Sequence, residues 1–175
     1  NRLIKRYQPF FNVDLKMNER YAFLKITDEK FPRIVVTRHK EEGDGVYVGP
    51  YVRVSEVREL LRLIEHYLPL RSCSSDIDKQ DWQRPCMQHS LGRCLGPCAK
   101  LCTESGYKDR VADVLMLLQG HGTELVEKLS VRMDRAAKNM EFEEAARIRD
   151  QIQAVREKAG NLVDAPLPLE TQPFG

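Results

Sequence analysis

The stretch LRSCSSDIDKQDWQRPCMQHSLGRCLGPCAKLCT, residues 70–103, decides how this chain folds. It has neither a helical nor a strand period. It holds all five cysteines of the 175-residue chain, between Cys73 and Cys102, together with Pro85, Gly92, Gly96 and Pro97. A loop this long inside a compact domain argues against itself unless something organises it, and a metal is the natural organiser. The spacing is Cys73-x12-Cys86-x7-Cys94-x3-Cys98-x3-Cys102. In a reducing compartment, clustered thiols more often bind metal than pair with one another. A structural zinc site uses closely paired cysteines around an ion about 2.3 Å from each sulfur, and only Cys94, Cys98 and Cys102 approach that spacing. Four single thiolates converging from separated points suit a bulky iron–sulfur cubane better. Zinc is the alternative, with His89 as a nitrogen ligand, and buried thiols without any ligand role are the third reading.

On the N-terminal side, YAFLKIT (21–27), RIVVTRH (33–39) and GVYVGPY (45–51) read as short strands. Turn signals at Asp28–Pro32 and Glu41–Gly45 separate them, so hairpin spacing predicts a small antiparallel sheet. Ser55 is the expected N-cap of a helix with Val57, Leu60, Leu61, Ile64 and Leu68 on one face, stopped by Pro69. On the C-terminal side, a helix from Tyr107 places Val111, Val114, Leu115 and Leu118 together and ends at Gly120 and Gly122. A second helix over Thr123–Lys138 carries Leu125, Leu129, Met133 and Ala136, and Asn139–Met140 separates it from a third over Glu141–Ala159. These last two form an αα-hairpin. The fold class is therefore α+β. A small antiparallel sheet with a covering helix is followed by a cysteine-rich metal-cluster region and a helical part ending in the hairpin. The expected divisions are 1–18 (a helix tail and linker), 19–70, 71–104, 105–122, 123–158 and a Pro-rich linker over 159–175.

Composition narrows the function. The chain has 28 Lys+Arg against 26 Asp+Glu, which excludes a polybasic tail binding by charge alone. At 42% hydrophobic it can build a core. No run approaches the roughly 20 apolar residues that span a bilayer, so the expected location is cytoplasmic. Residues 1–72 carry 14 cations against 10 anions, and residues 111–175 carry 8 against 11. The front half is thus better suited to phosphates and the hairpin to protein. Arg71, Arg84 and Arg93 beside the cysteines are candidate phosphate contacts, with Tyr47 or Tyr51 as stacking partners. The competing reading is solvated arginines and tyrosines packed on the sheet. In the hairpin, Phe142, Ala145, Ala146, Arg149, Ile152 and Val155 line one side. That side either packs onto the chain's own preceding helix, which periodicity favours, or docks onto another hairpin as a four-helix bundle.

The stretches NRLIKRYQPFFNV (1–13), GVYVGPY (45–51), CMQHSLGRCLGPC (86–98) and EFEEAARIRDQIQAV (141–155) occur in an order that resembles the central region of the UvrC family. That family provides the dual-incision subunit of bacterial UvrABC nucleotide excision repair. The resemblance reaches about Ala159, and the last stretch is similar to the UVR motif. It implies a 4Fe–4S cluster on cysteines matching Cys73, Cys86, Cys94 and Cys98, with Cys102 as a substitute ligand. It implies that the hairpin, about Thr123–Lys158, docks UvrB with Phe142 as the contact anchor, supporting incision 3′ of a lesion in damaged DNA; Ala145, Ala146, Arg149 and Ile152, on the same side by periodicity, are the further candidate contacts. The family's two nuclease centres have no matching residues in this sequence. Asn1 is expected to follow the metal-binding Glu of the GIY-YIG nuclease, residues 1–18 being that domain's tail, so the chain alone is expected to be catalytically silent. A zinc-binding UVR-motif regulatory adaptor is the alternative, but such proteins carry repeated CxxC pairs, which are absent here.

Overall fold

Ala22, Leu24 and Ile26 alternate with Phe23 and Lys25, and this period of two builds strand β1 (Ala22–Thr27). The computed structural model describes residues 21–41, 43–75, 77 and 84–162. The expected nuclease tail over 1–18 and the Pro-rich stretch after Leu162 lie outside them. A turn closed by Thr27 N–H to Arg33 O (3.0 Å) and Arg33 N–H to Thr27 Oγ1 (3.0 Å) leads into β2 (Ile34–Thr37). Strand β3 (Gly45–Tyr51) follows, and the sheet order is β2-β1-β3 with both pairings antiparallel.

This order corrects the expected succession of hairpins. Strand β3 does not fold back on β2 but pairs with β1 on its other edge. Lys40 places its ammonium 4.8 Å from the Phe23 ring, and Asp44 pairs with Lys25, so the connection crosses the outer face of β1. Gly45, at φ +141°, makes this approach feasible, since a Cβ there would sit 2.2 Å from Ile26 O. The strand with the most buried face thereby takes the centre, where both its edges are hydrogen-bonded.

Helix α1 (Val54–Tyr67) lays Val57, Leu60, Leu63 and Ile64 on the inner face of β1 and β3. Its N-cap is Arg53, without a side-chain cap, and the expected cap Ser55 lies inside the first turn. A single-turn helix α2 (Met87–Ser90) and a 3₁₀ turn (Pro97–Ala99) are the regular pieces of the cysteine segment.

Helix α3 (Glu104–Leu118) begins one turn before the sequence reading placed it. Thr103 accepts Gly106 N–H on Oγ1 at 3.1 Å, a cap that compensates for a polar first turn. Tyr107, fully buried in that first turn, donates to Pro32 O (2.7 Å), accepts Arg71 N–H (2.9 Å) and meets Phe31 edge-on at 5.3 Å. Burial raises its pKa well above the ordinary tyrosine value.

Gly120 (φ +83°) ends α3 as expected, but Gly122 does not. It is the buried first residue of α4 (Gly122–Lys138). The hairpin closes at Met140, left-handed at φ +63°, where Glu141 N–H reaches Ala136 O at 2.9 Å. Helix α5 (Phe142–Leu162) returns along α4 and touches α1, with Lys158 Nζ 2.9 Å from Glu59 Oε2. Leu125, Leu129, Ile148, Ile152 and Val155 join one core with Val114, Leu117 and Leu118. The hairpin's buried residues therefore pack on the chain's own helices, but of the side expected to do so only Ile152 and Val155 are buried, while Phe142 and Arg149 are exposed. No helix among the described residues is long and apolar enough to cross a membrane.

Candidate metal centre and hairpin docking face

The cysteine segment is shaped by short-range backbone constraints. Cys86 sits at the N-cap of α2, its carbonyl accepting His89 N–H at 3.0 Å. Gly92, at φ +71°, ends the turn, and Arg93 N–H closes back onto Gln88 O at 2.9 Å. Two residues after the buried Cys94, Gly96 donates its N–H to Cys94 Sγ at 3.4 Å. Gly96 lies at φ +70°, and a Cβ there would come within 2.8 Å of His89 Cδ2 and 3.0 Å of Leu101 Cδ1. Pro97 then sets the 3₁₀ turn that carries Cys98.

All five cysteines are free thiols. Burial drives the Cys94 pKa up to about 11; the Gly96 N–H opposes this, and the charges of Cys86, Cys73 and Cys98 add to it. Cys94 thus sits within electrostatic reach of three other thiols. Cys102 differs. Its pKa rises through burial and then through Cys98 alone, and its side chain packs against the hydrophobic core. A cavity of about 550 Å³ opens beside Cys94 and Cys102, lined also by Tyr67, Leu101, Arg110 and Gln151. A zinc ion would draw its thiolates to within about 3.8 Å of one another. Among the described residues, no three His, Cys, Asp or Glu side chains could hold a single metal ion.

Arg71 is not a surface phosphate contact. It is 4% exposed, and its guanidinium donates to Phe31 O (2.6 Å), Ser75 O (2.9 Å) and Cys73 O (3.3 Å) while pairing with Glu29. It holds the start of the cysteine segment against the β1–β2 turn. Sequence reasoning gave Arg71 the wrong surroundings because its partners lie up to 42 residues away. Arg84 and Arg93 are exposed. Tyr51 is buried in the sheet and its pKa is pushed up to about 12 by burial. The Tyr47 hydroxyl accepts Glu41 N–H at 3.1 Å, so both tyrosines follow the packed reading rather than the stacking one.

The expected docking residues divide between two faces of α5. Phe142 is 67% exposed at the hairpin tip, next to Met140 at 77%. Ala145 and Ala146 are half-buried, and Arg149 is exposed, its guanidinium gripping Asp150 at 2.9 and 3.1 Å. Ile152 is buried in the core. Arg149 and Ile152 nevertheless meet in one groove of about 410 Å³ between α4 and α5, with Ser130, Met133, Gln153 and Arg156. Met133 and Arg156 were not among the expected contacts. Their signal was the seam where the two helices face each other, which the period of one helix does not contain.

Residues 21–117 match the family model described as UvrC/Cho excinuclease, middle domain. The chain belongs to the UvrC family. Residues 123–158 match the UvrB/uvrC motif, the limits expected for the UVR hairpin. Curated relatives named UvrABC system protein C are similar throughout. The one from Desulforudis audaxviator is 43% identical over 156 residues, covering 89% of this chain and 25% of the relative. The one from Moorella thermoacetica is 42% identical with the same coverage. The one from Escherichia fergusonii is 42% identical over 154 residues, covering 87% of this chain and 25% of the relative. The chain thus spans about a quarter of the length of the UvrC relatives it matches. No solved structure gives a significant match.

Proposed function

We propose that this chain is the central, non-nuclease portion of a UvrC subunit, binding a 4Fe–4S cluster and docking UvrB during excision of damaged DNA in the cytoplasm. The observation that carries the metal assignment is the environment of Cys94. It is a buried thiol with a backbone N–H aimed at its sulfur, and Cys86, Cys73 and Cys98 add to the rise of its pKa. Backbone N–H donors to sulfur favour the thiolate that a metal needs. These four thiols are the proposed ligands, and the core-packed Cys102 is a structural residue. Once bound, the cluster supplies a four-point cross-link between parts of the chain that share few other contacts. Gly96 and Pro97 fix the turn between Cys94 and Cys98, and Arg71 secures the Cys73 end.

Anaerobically purified protein is expected to be brown, with about four iron and four sulfide per chain. Cys94→Ser should lose most of both, and Cys102→Ser should keep them. Stoichiometric zinc without colour, or equal iron in the two variants, would overturn the assignment.

Docking rests on the UvrB/uvrC motif match together with an exposed aromatic tip and an open groove on the hairpin. Large aromatics in this position are the residue type that dominates interface energetics. Phe142→Ala is expected to weaken binding to UvrB by about 2 kcal/mol or more, roughly thirtyfold, without lowering the melting temperature. Calorimetric titration of UvrB with both forms checks it. Unchanged affinity would remove Phe142 as the anchor.

A further inference from the structure

Between Arg84 and Thr103 the chain carries Arg84, Arg93 and Lys100 and not one carboxylate. Arg84 and Arg93 are exposed, and among the described residues no carboxylate engages either. The same segment presents some of the most exposed large apolar side chains: Met87 at 75%, Leu91 at 56% and Leu101 at 54%. Met87 and Leu91 are four residues apart on one helical turn, with Leu91 N–H bonded to Met87 O at 2.9 Å, so they form a single ridge. The ridge is rigid. The Cys86 carbonyl closes the turn at one end, and the Gly92–Arg93 backbone closes it at the other. Arg84 precedes the turn and Arg93 follows it, so the ridge has a guanidinium-bearing residue at each end.

An apolar ridge between two arginines, with no carboxylate from Arg84 to Thr103, is unusual on a protein surface when its side chains are this exposed among the described residues. Guanidinium forks match phosphate oxygens. Exposed Met and Leu side chains are the kind that wedge against base steps in a minor groove. A lipid surface fits less well, because helices that lie in a bilayer interface extend their apolar face over several turns, and α2 has one. We propose that this ridge is a duplex-DNA contact, with Met87 and Leu91 entering the minor groove while Arg84 and Arg93 hold the flanking phosphates. The contact is independent of what the cysteines bind, provided the segment keeps its shape.

The test is a fluorescence-anisotropy titration of the whole chain with a labelled duplex over a salt series. Paired titrations use a single strand and phosphatidylglycerol vesicles. Arg84→Gln with Arg93→Gln should shorten the slope of log K against log salt by about 1.8 and weaken binding tenfold or more. Met87→Ser with Leu91→Ser should weaken binding while leaving the slope unchanged. Both double variants alter exposed side chains, so iron content and melting temperature should equal those of the parent, which separates this test from that of the metal site. The proposal is overturned by an unchanged slope in the arginine variant or by full affinity in the apolar variant. Binding to vesicles or single strands with none to duplex would overturn it equally.

Discussion

Arg71→Ala is expected to destabilise the chain by about 3–5 kcal/mol and to lower its iron content. The guanidinium is buried and serves three carbonyl oxygens, those of Phe31, Cys73 and Ser75, together with Glu29. Removing it leaves the carbonyls of half-buried Phe31, Cys73 and Ser75 without their donor, which is the costly direction of hydrogen-bond loss. Glu29 is 37% exposed and also bonds Arg33, so it re-solvates and adds little. Arg71→Lys should recover less than half of the loss, because one ammonium cannot span a fork of acceptors. Urea unfolding of the three forms measures this, with iron analysis on the same preparations. If Lys restored full stability, the fork geometry would be irrelevant and Arg71 would be serving as a charge alone.

Asp113→Ala should cost about 3 kcal/mol, seen as a melting temperature about 9 °C lower. Asp113 is fully buried on α3 and faces two cations from α4, with Arg132 Nη1 2.5 Å from Oδ2 and Lys128 Nζ 2.8 Å from Oδ1. Oδ1 accepts no aligned hydrogen bond, so charge alone holds it there. Without the carboxylate, two cations meet across a closed helix contact. Their side chains are 30% and 37% exposed, so partial turning to water keeps the cost at the low end for a broken buried pair. Replacing Asp113, Lys128 and Arg132 together by Leu, Met and Met should restore part of the stability, because apolar packing replaces the three charges while the half-buried Arg110 still loses the nearby carboxylate. A triple variant no better than Asp113→Ala would mean the residues act through shape rather than charge.

These two polar sites were the least legible part of the chain. Sequence reading assigned Arg71 to phosphates and left Asp113 unremarked, since polar residues inside a helical or loop pattern are ordinarily solvated. Tyr107 was taken only as a helix start, although its hydroxyl ties residues 32 and 71 to α3. Apolar faces fared better. The alternation of β1 and most of the inward sets of α1 and α4 were readable, though Leu63 was missed, because burial imposes a period of two on strands and 3.6 on helices. The cysteine cluster was conspicuous from its composition, whereas the packing of Cys102 against the core and its place beside Cys94 on one cavity were visible only in the folded segment.

By itself the sequence determined the apolar face of α4 and most of that of α1, where Pro69 and Gly120 stop helices, and which family the chain resembles. Those properties are local, carried by neighbours a few positions apart. Tertiary structure alone decided that β3 joins β1 rather than β2, that Arg71 is buried, and that Asp113 faces α4. Each of these turns on groups at least 15 residues apart, from Asp113 and Lys128 to Arg71 and Glu29, and no periodicity along the chain records which distant charge or backbone group will satisfy a buried one.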